Sequence, residues 1–292
     1  MTQATQMQQQ KAELFRGLHA GHDIVVLPCA WDVASAKLFE AAGYKAIGTT
    51  SAGIAATFGY PDGQKIGFDE HLEVIRRIVR HVNVPVSVDL EAGYAASAEG
   101  VAANVDAVLE AGAVGVNIED ENHARTGGLL LEPAGHMVEK LRAIRAVGEA
   151  RGIGLFINAK TDVVWLSAAD GPEAILRETV RRANVYGAAG ADCIFIPGDF
   201  GFEAIARLVE AISYPLNLVI KGTTPPLSEL RALTAAAAKG RGVRRLSMGS
   251  GPMRAAMGLT RTIAREVLAN GTYDSLLEFA IPYGELVGLF KT

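Results

Sequence analysis

The sequence predicts an α/β chain folded as a (β/α)8 barrel of the TIM type, with extra helices at its C-terminal end. Three observations predict it. Eight short apolar, β-branched runs recur along the chain, each nearly continuous, as in parallel strands buried on both faces. Helical patterns lie between them. The length of 292 residues also suits a single barrel, which uses roughly 250.

In order, the runs are 24–27, 46–49, 84–88, 114–118, 155–158, 193–196, 216–220 and 245–248. Helical patterns cover 33–42, 68–82, 98–111, 135–151, 172–187, 202–211 and 227–238. In the second of these, Leu72, Ile75, Ile78 and Val79 share one face. The pairs Ala42-Gly43, Ala111-Gly112 and Ala189-Gly190 close three of the helices, glycine supplying a left-handed cap before the next strand. A doubly wound open sheet is the structural competitor, but it would carry a Gly-rich first turn, and Pro28-Cys29-Ala30-Trp31-Asp32 has no glycine. Residues 1–10 read as a polar tail and about 253–289 as helix beyond what closure requires. No linker or composition shift divides 1–292, so one domain is expected.

Apolar residues make up 49% and charged residues 21%, an ordinary globular balance. The 28 basic and 32 acidic side chains give a net charge of −4, which argues against a nucleic-acid partner. No apolar stretch reaches the roughly 20 residues of a membrane helix. The N-terminus lacks the apolar segment of a secretory signal, so a cytoplasmic location is expected. Cys29 and Cys193 sit in strand-like runs and are expected to be reduced core residues. With no histidine at ligand spacing they cannot form a structural zinc site.

Barrel chemistry gathers at the C-terminal ends of the strands. The third run ends Asp89-Leu90-Glu91 and the fourth Glu119-Asp120-Glu121. While the chain stays extended, Asp89 and Glu91 face the same side. Carboxylates converging from neighbouring strands need a counter-ion, and a hard divalent cation answers that need: Mg2+ first, Mn2+ as the alternative. A helix cap or a surface charge accounts equally well for any one of these residues, but not for the convergence of Asp89, Glu91 and Glu119.

These residues resemble the isocitrate lyase/phosphoenolpyruvate mutase superfamily. Its Asp-x-Asp-x-Gly-Tyr/Phe-Gly segment reads here Asp89-Leu90-Glu91-Ala92-Gly93-Tyr94-Ala95, and its Ile-Glu-Asp reads Ile118-Glu119-Asp120. Thr50-Ser51-Ala52-Gly53 looks like the family's small-residue loop that cradles a 2-oxo carboxylate. Asp62, after Tyr60-Pro61, resembles its Pro-Asp element, and Trp31 falls in a matching first-strand segment. The resemblance implies Mg2+ held through Asp89, with Glu91 and Glu119 acting largely through water. It also implies a homotetramer that exchanges C-terminal helices, a dimer being the other option.

Three departures bear on activity. The loop after the fourth run, Glu121-Asn122-His123-Ala124-Arg125-Thr126-Gly127-Gly128, has no cysteine where the family's lyases carry one. Glu91 stands for an aspartate. Lys160, in Asn158-Ala159-Lys160-Thr161-Asp162, stands for an arginine that grips a substrate carboxylate.

The expected function is therefore a Mg2+-dependent lyase. It would cleave a C–C bond of a 2-oxo or hydroxy carboxylic acid, by retro-aldol reaction or decarboxylation, through a metal-stabilised enolate. Phosphonopyruvate processing is the alternative, and a Schiff-base aldolase using Lys160 or Lys221 is another. The expected catalytic residues are Asp62, Lys160 and His123, the last either an acid/base or an exposed loop residue. Substrate contacts are expected from Trp31, Thr50, Ser51, Ala52, Gly53, Arg125, Lys160 and Asn217. Arg125 reads equally as a solvated charge, and Lys221 as a partner for a barrel carboxylate. The loop of about 121–132 is expected to gate the mouth.

Overall fold

The first expected strand, 24–27, stops at Pro28, and a second short strand follows the proline to complete the stave. β1 (Val25–Leu27) pairs with the last strand, β9 (Val243–Ser247), and β2 (Cys29–Ala30) pairs with β3 (Ile47–Thr49). Proline has no N–H to give to the ladder. Its carbonyl still accepts from Gly48 N at 2.8 Å, so the two halves serve as one stave. β4 (Val86–Asp89), β5 (Gly115–Glu119), β6 (Phe156–Lys160), β7 (Cys193–Ile196) and β8 (Leu216–Val219) follow. Every pairing is parallel, and the order runs β1-β9-β8-β7-β6-β5-β4-β3-β2. Nine strands thus make the eight staves of a nearly closed barrel. The computed structural model describes residues 3–21, 23–123, 130–237 and 240–291.

The helices between staves are α2 (Val33–Ala41), α3 (Ser51–Thr57), α4 (Phe68–His81), α5 (Ala98–Glu110), α6 (Ala134–Ala150), α7 (Pro172–Ala188), α8 (Phe202–Ala211) and α9 (Leu227–Ala236). In α4, Leu72, Ile75 and Ile78 are buried while Arg77 pairs with Glu73 outside. Gly43, Gly112 and Gly190 have φ of 94, 98 and 110, the left-handed ends that the Ala-Gly pairs require.

One expectation is corrected. Of the residues read as a polar tail over 1–10, 3–10 belong to an 18-residue helix, α1 (Gln3–Ala20). Its glutamines hide a sparse apolar face. Ala12 and Phe15 are buried, and Gln8 Nε2 donates to the carbonyls of Leu109 and Ala113 at 2.7 and 2.8 Å. The helix packs against β6 and β9, with Phe15 edge-on to Phe156. The extra C-terminal helices are present as expected: α10 (Gly251–Asn270), α11 (Asp274–Phe279) and α12 (Tyr283–Gly288). Gly271, left-handed at φ 67, ends the first, and Pro282 starts the last. Leu268, Leu277 and Tyr283 on these helices are 91%, 67% and 82% exposed.

Cys29 and Cys193 are free and buried, as expected. No helix among the described residues is long and apolar enough to cross a membrane.

Candidate active site

Parallel register sets neighbouring side chains at one height. Asp89 stands opposite Asn117, Asn117 opposite Asn158, and Glu119 opposite Lys160. Asn158 Nδ2 donates to Asn117 Oδ1 at 2.8 Å, and Asn117 Nδ2 to Asp89 Oδ1 at 3.4 Å. Above this polar floor, at the C-terminal strand ends, lies a cavity of about 320 Å3.

One wall comes from β3 and the first turn of α3. Thr50 caps α3, its hydroxyl accepting from Gly53 N at 3.3 Å. Ser51 donates twice to Asp89 Oδ2, from its backbone N at 3.1 Å and its hydroxyl at 3.0 Å. Two N–H groups of the expected carboxylate cradle are therefore already engaged inside the protein, and Ser51 serves Asp89. Thr50, Ser51 and Ala52 line the cavity. Gly53 and Trp31 stand behind that wall: a Cβ on Gly53 would lie 2.8 Å from Trp31 Cβ, so only glycine fits.

The chain does not stay extended after Asp89. Glu91 is left-handed at φ 50, as are Gln64 at 56 and Tyr94 at 55. Such strain in three non-glycine residues marks a site held by its surroundings. All three meet at one carboxylate: Gln64 N donates to Glu91 Oε2 at 2.6 Å and Tyr94 OH to Oε1 at 2.7 Å. Burial, with Glu119 adding to it, pushes the Glu91 carboxyl up to about 8.

β5 and β6 carry the strongest charges. Lys160 Nζ lies 2.5 Å from Glu119 Oε2 and 3.0 Å from Asp162 Oδ1. Burial opposes the lysine's charge, but Asp162 and Glu119 outweigh it and hold the ammonium well above its usual value. Burial likewise opposes the charge on Glu119, yet Lys160 and His123 bring it down to about 2. Asp120 faces away from the mouth, accepting from Thr161, Asp162 N, Arg182 and Tyr186. It braces the start of the loop that carries Asp162.

His123 turns inward: its Nε2 donates to Glu119 Oε1 at 2.6 Å, with Glu91 Oε2 at 3.8 Å and Glu121 Oε1 at 3.6 Å from the ring. The ring packs against Gly63, where a Cβ would come 3.3 Å from Nδ1 and where φ is 94. Burial would lower its pKa, but Glu119 and then Glu121 raise it above the ordinary histidine value. The base of the expected gating loop is a short antiparallel link, Glu121 to Leu131. Arg125 and the two following glycines, Gly127 and Gly128, lie outside the described residues.

Asp62 and Lys221 both line the mouth. Burial, then Asp89 and Glu119, pushes Asp62 above the usual carboxylate range. Asn217 is not a mouth residue: it lies fully buried in the barrel, accepting from Ser247 at 3.1 Å. The alternation of β8 sets it one layer below the rim. Glu121 and Trp165 line the cavity as well and were not singled out from sequence. Glu121, two past Glu119, had a readable signal; Trp165, in a loop beyond β6, had none.

Ligand atoms of Glu91, Glu119 and His123 lie within 4.8 Å of one another, as do those of Glu119, Glu121 and Asp162. The second group already closes around Lys160 Nζ. The first group takes His123 in place of the expected Asp89, whose carboxylate turns toward Ser51.

The sequence model of the phosphoenolpyruvate phosphomutase family matches residues 15–268. An uncharacterised protein of Mycobacterium tuberculosis, strain H37Rv, is 33% identical over 274 residues, covering 93% of this chain and 94% of that one. A 2-methylisocitrate lyase of Halalkalibacterium halodurans is 32% identical over 224 residues, covering 75% and 71%. Among solved structures, a phosphonopyruvate hydrolase in complex with oxalate and Mg2+ superposes with a TM-score of 0.81 at 23% identity, covering 96% and 94%; at that identity the likeness is one of fold. On the family match and these identities, the chain is an enzyme of the phosphoenolpyruvate phosphomutase family, within the isocitrate lyase/phosphoenolpyruvate mutase superfamily.

Proposed function

We propose that the chain is a Mg2+-dependent lyase that breaks a carbon–carbon bond, by retro-aldol cleavage or decarboxylation, in a small 2-oxo or 2-hydroxy carboxylic acid. The observation that carries this is the convergence of Asp62, Asp89, Glu119 and Glu121 on one small cavity, with more negative charge than Lys160 balances. Burial and crowding push up Asp62, Glu91 and Glu121, as carboxylates short of counter-charge are pushed. Oxygen donors of this kind fit a hard divalent ion, and the neighbouring imidazole leaves Mn2+ as an alternative. Asp89, Glu91 and Glu119 would hold it, with His123 beside them. When bound, the ion would supply positive charge to a chelating 2-oxo acid and lower the barrier to its enolate.

The chain's own groups supply the rest. Ser51 fixes Asp89. His123, whose pKa Glu119 and Glu121 raise above the ordinary histidine value against the effect of burial, donates a proton in the place of the missing cysteine. Asp62, held above the usual carboxylate range by burial and by Asp89, accepts one at the mouth. Lys160 stays charged and orients Glu119, which disfavours a Schiff base, since that needs a free amine. Likeness to a 2-methylisocitrate lyase supports the lyase class.

The working unit is a homotetramer in the cytoplasm. The exposed surface is 13985 Å2, whereas a compact monomer of this mass exposes about 11,900 Å2. Exposed apolar side chains on α10–α12, Leu268, Leu277 and Tyr283 among them, fit an interface between copies.

The test is a product screen. Purified protein with Mg2+ is offered oxaloacetate, phosphonopyruvate, and 2- and 3-substituted malates, and keto-acid and phosphate release are followed. Keto-acid release from a carbon substrate, stopped by EDTA and restored by Mg2+, is expected. Phosphate release outpacing every carbon substrate selects the phosphonate reading, and a borohydride-trapped pyruvate adduct selects the Schiff base.

A further inference from the structure

The cavity has two unlike halves. Asp62, Asp89, Glu119 and Glu121 crowd one. Trp165, Phe195, Pro197 and Val219 line the other, and the charged side chain among them is Lys221. The ammonium of Lys160 is already held by Glu119 and Asp162. That of Lys221 makes no ion pair among the described residues; it lies over the Trp165 ring, 5.0 Å from its centroid. The nearby acid Asp199 is exposed and accepts instead from Thr223 N and Oγ1, at 3.0 and 2.5 Å. This cation–π contact holds the ammonium over the ring face and leaves its N–H donors for another acceptor. Trp165 itself is 58% exposed, a large aromatic surface left in water at the rim of a cavity.

We infer that the substrate is a dicarboxylate whose second carboxylate, remote from the 2-oxo or 2-hydroxy head, is bound by Lys221, with a short aliphatic segment against Trp165, Phe195, Pro197 and Val219. The inference rests on the reading above for the head and deepens it. A volume of about 320 Å3 is at the small end of ligand sites, which run from about 300 to 1,000 Å3, so it suits a compact acid and not a nucleotide. An apolar wall between two charged ends matches an acid with carboxylates at both ends of a hydrocarbon spacer. A substrate ending at its head would leave Lys221 and Trp165 without an occupant.

Binding by calorimetry with Mg2+ tests this with three probes. Oxalate is a head alone, 2-oxopentanoate a head with an apolar end, and 2-oxoglutarate the same chain length with a second carboxylate. The wild-type protein is expected to prefer 2-oxoglutarate over 2-oxopentanoate by at least about 10-fold, the worth of a hydrogen bond to a charged group. In Lys221→Met, which keeps an unbranched side chain of similar length but no charge, that preference falls to within about 2-fold, while Lys221→Arg restores most of it. A preference unchanged in Lys221→Met, or absent in the wild type while oxalate binds, overturns the assignment of Lys221 and leaves the proposed head chemistry standing. Failure of the wild type to bind oxalate with Mg2+ overturns both.

Discussion

Asp89 and Lys160 both contribute charge to the mouth, and their environments give them opposite duties. Asp89 accepts from Ser51 twice and is half-buried at the mouth, away from core packing. Asp89→Asn should therefore lower kcat by at least about 100-fold through lost electrostatic stabilisation, with little change in melting temperature. Equal turnover in that variant removes Asp89 from the site. Lys160 is a structural charge as well. Lys160→Met strands Glu119 and Asp162 without their counter-ion, a loss of about 3–5 kcal/mol. The metal-free melting temperature should drop by at least about 6 °C, and Mg2+ should recover part of the loss by taking over the counter-charge. An unchanged melting temperature would mean that the pair is solvated. The strand-end carboxylates could be read from sequence because their positions follow from strand register. For His123 the sequence offered two readings, acid/base or exposed loop residue, and could not choose between them, since the inward turn depends on Glu119 lying within reach and on Gly63 admitting the ring.

Strands were legible at the scale of elements because both faces of each are covered, which turns every stave into an unbroken apolar word such as Cys193-Ile194-Phe195-Ile196. α1 was not, because glutamine hides the few positions that bury. α3 was missed for a different reason, since seven residues carry too little periodicity. α1 also brings a pH dependence. His19 lies among Phe15, Phe156 and Arg245, its Nδ1 donating to Phe15 O at 2.8 Å. Burial, then the charge of Arg245, pushes its pKa down to about 3. The folded protein refuses a proton that the unfolded chain accepts near 6.5, so the native state loses stability as pH falls from about 6.5 toward 3. At pH 5 the loss is about 2 kcal/mol. His19→Phe should flatten the fall in urea midpoint between pH 6.5 and 5, and an equally steep fall would assign it to other groups.

At the scale of the whole molecule, α10–α12 carry apolar side chains outward. Leu268→Glu with Leu277→Glu places two charges on that face where neither side chain packs within the subunit. Light scattering should then report a smaller assembly with unchanged helical content, whereas an unchanged mass would put the interface elsewhere. The split first stave reaches further, into how the chain is made. β1 finds its partner about 220 residues downstream, Val25 beside Arg245. At about 5–20 residues per second, a ribosome needs roughly 10–45 s to deliver that partner. Through that interval β2 can already dock on β3, while β1, beyond the proline, keeps an open edge. The nascent chain thus passes through a half-wound state with a raw margin, open until the last strand arrives to close it.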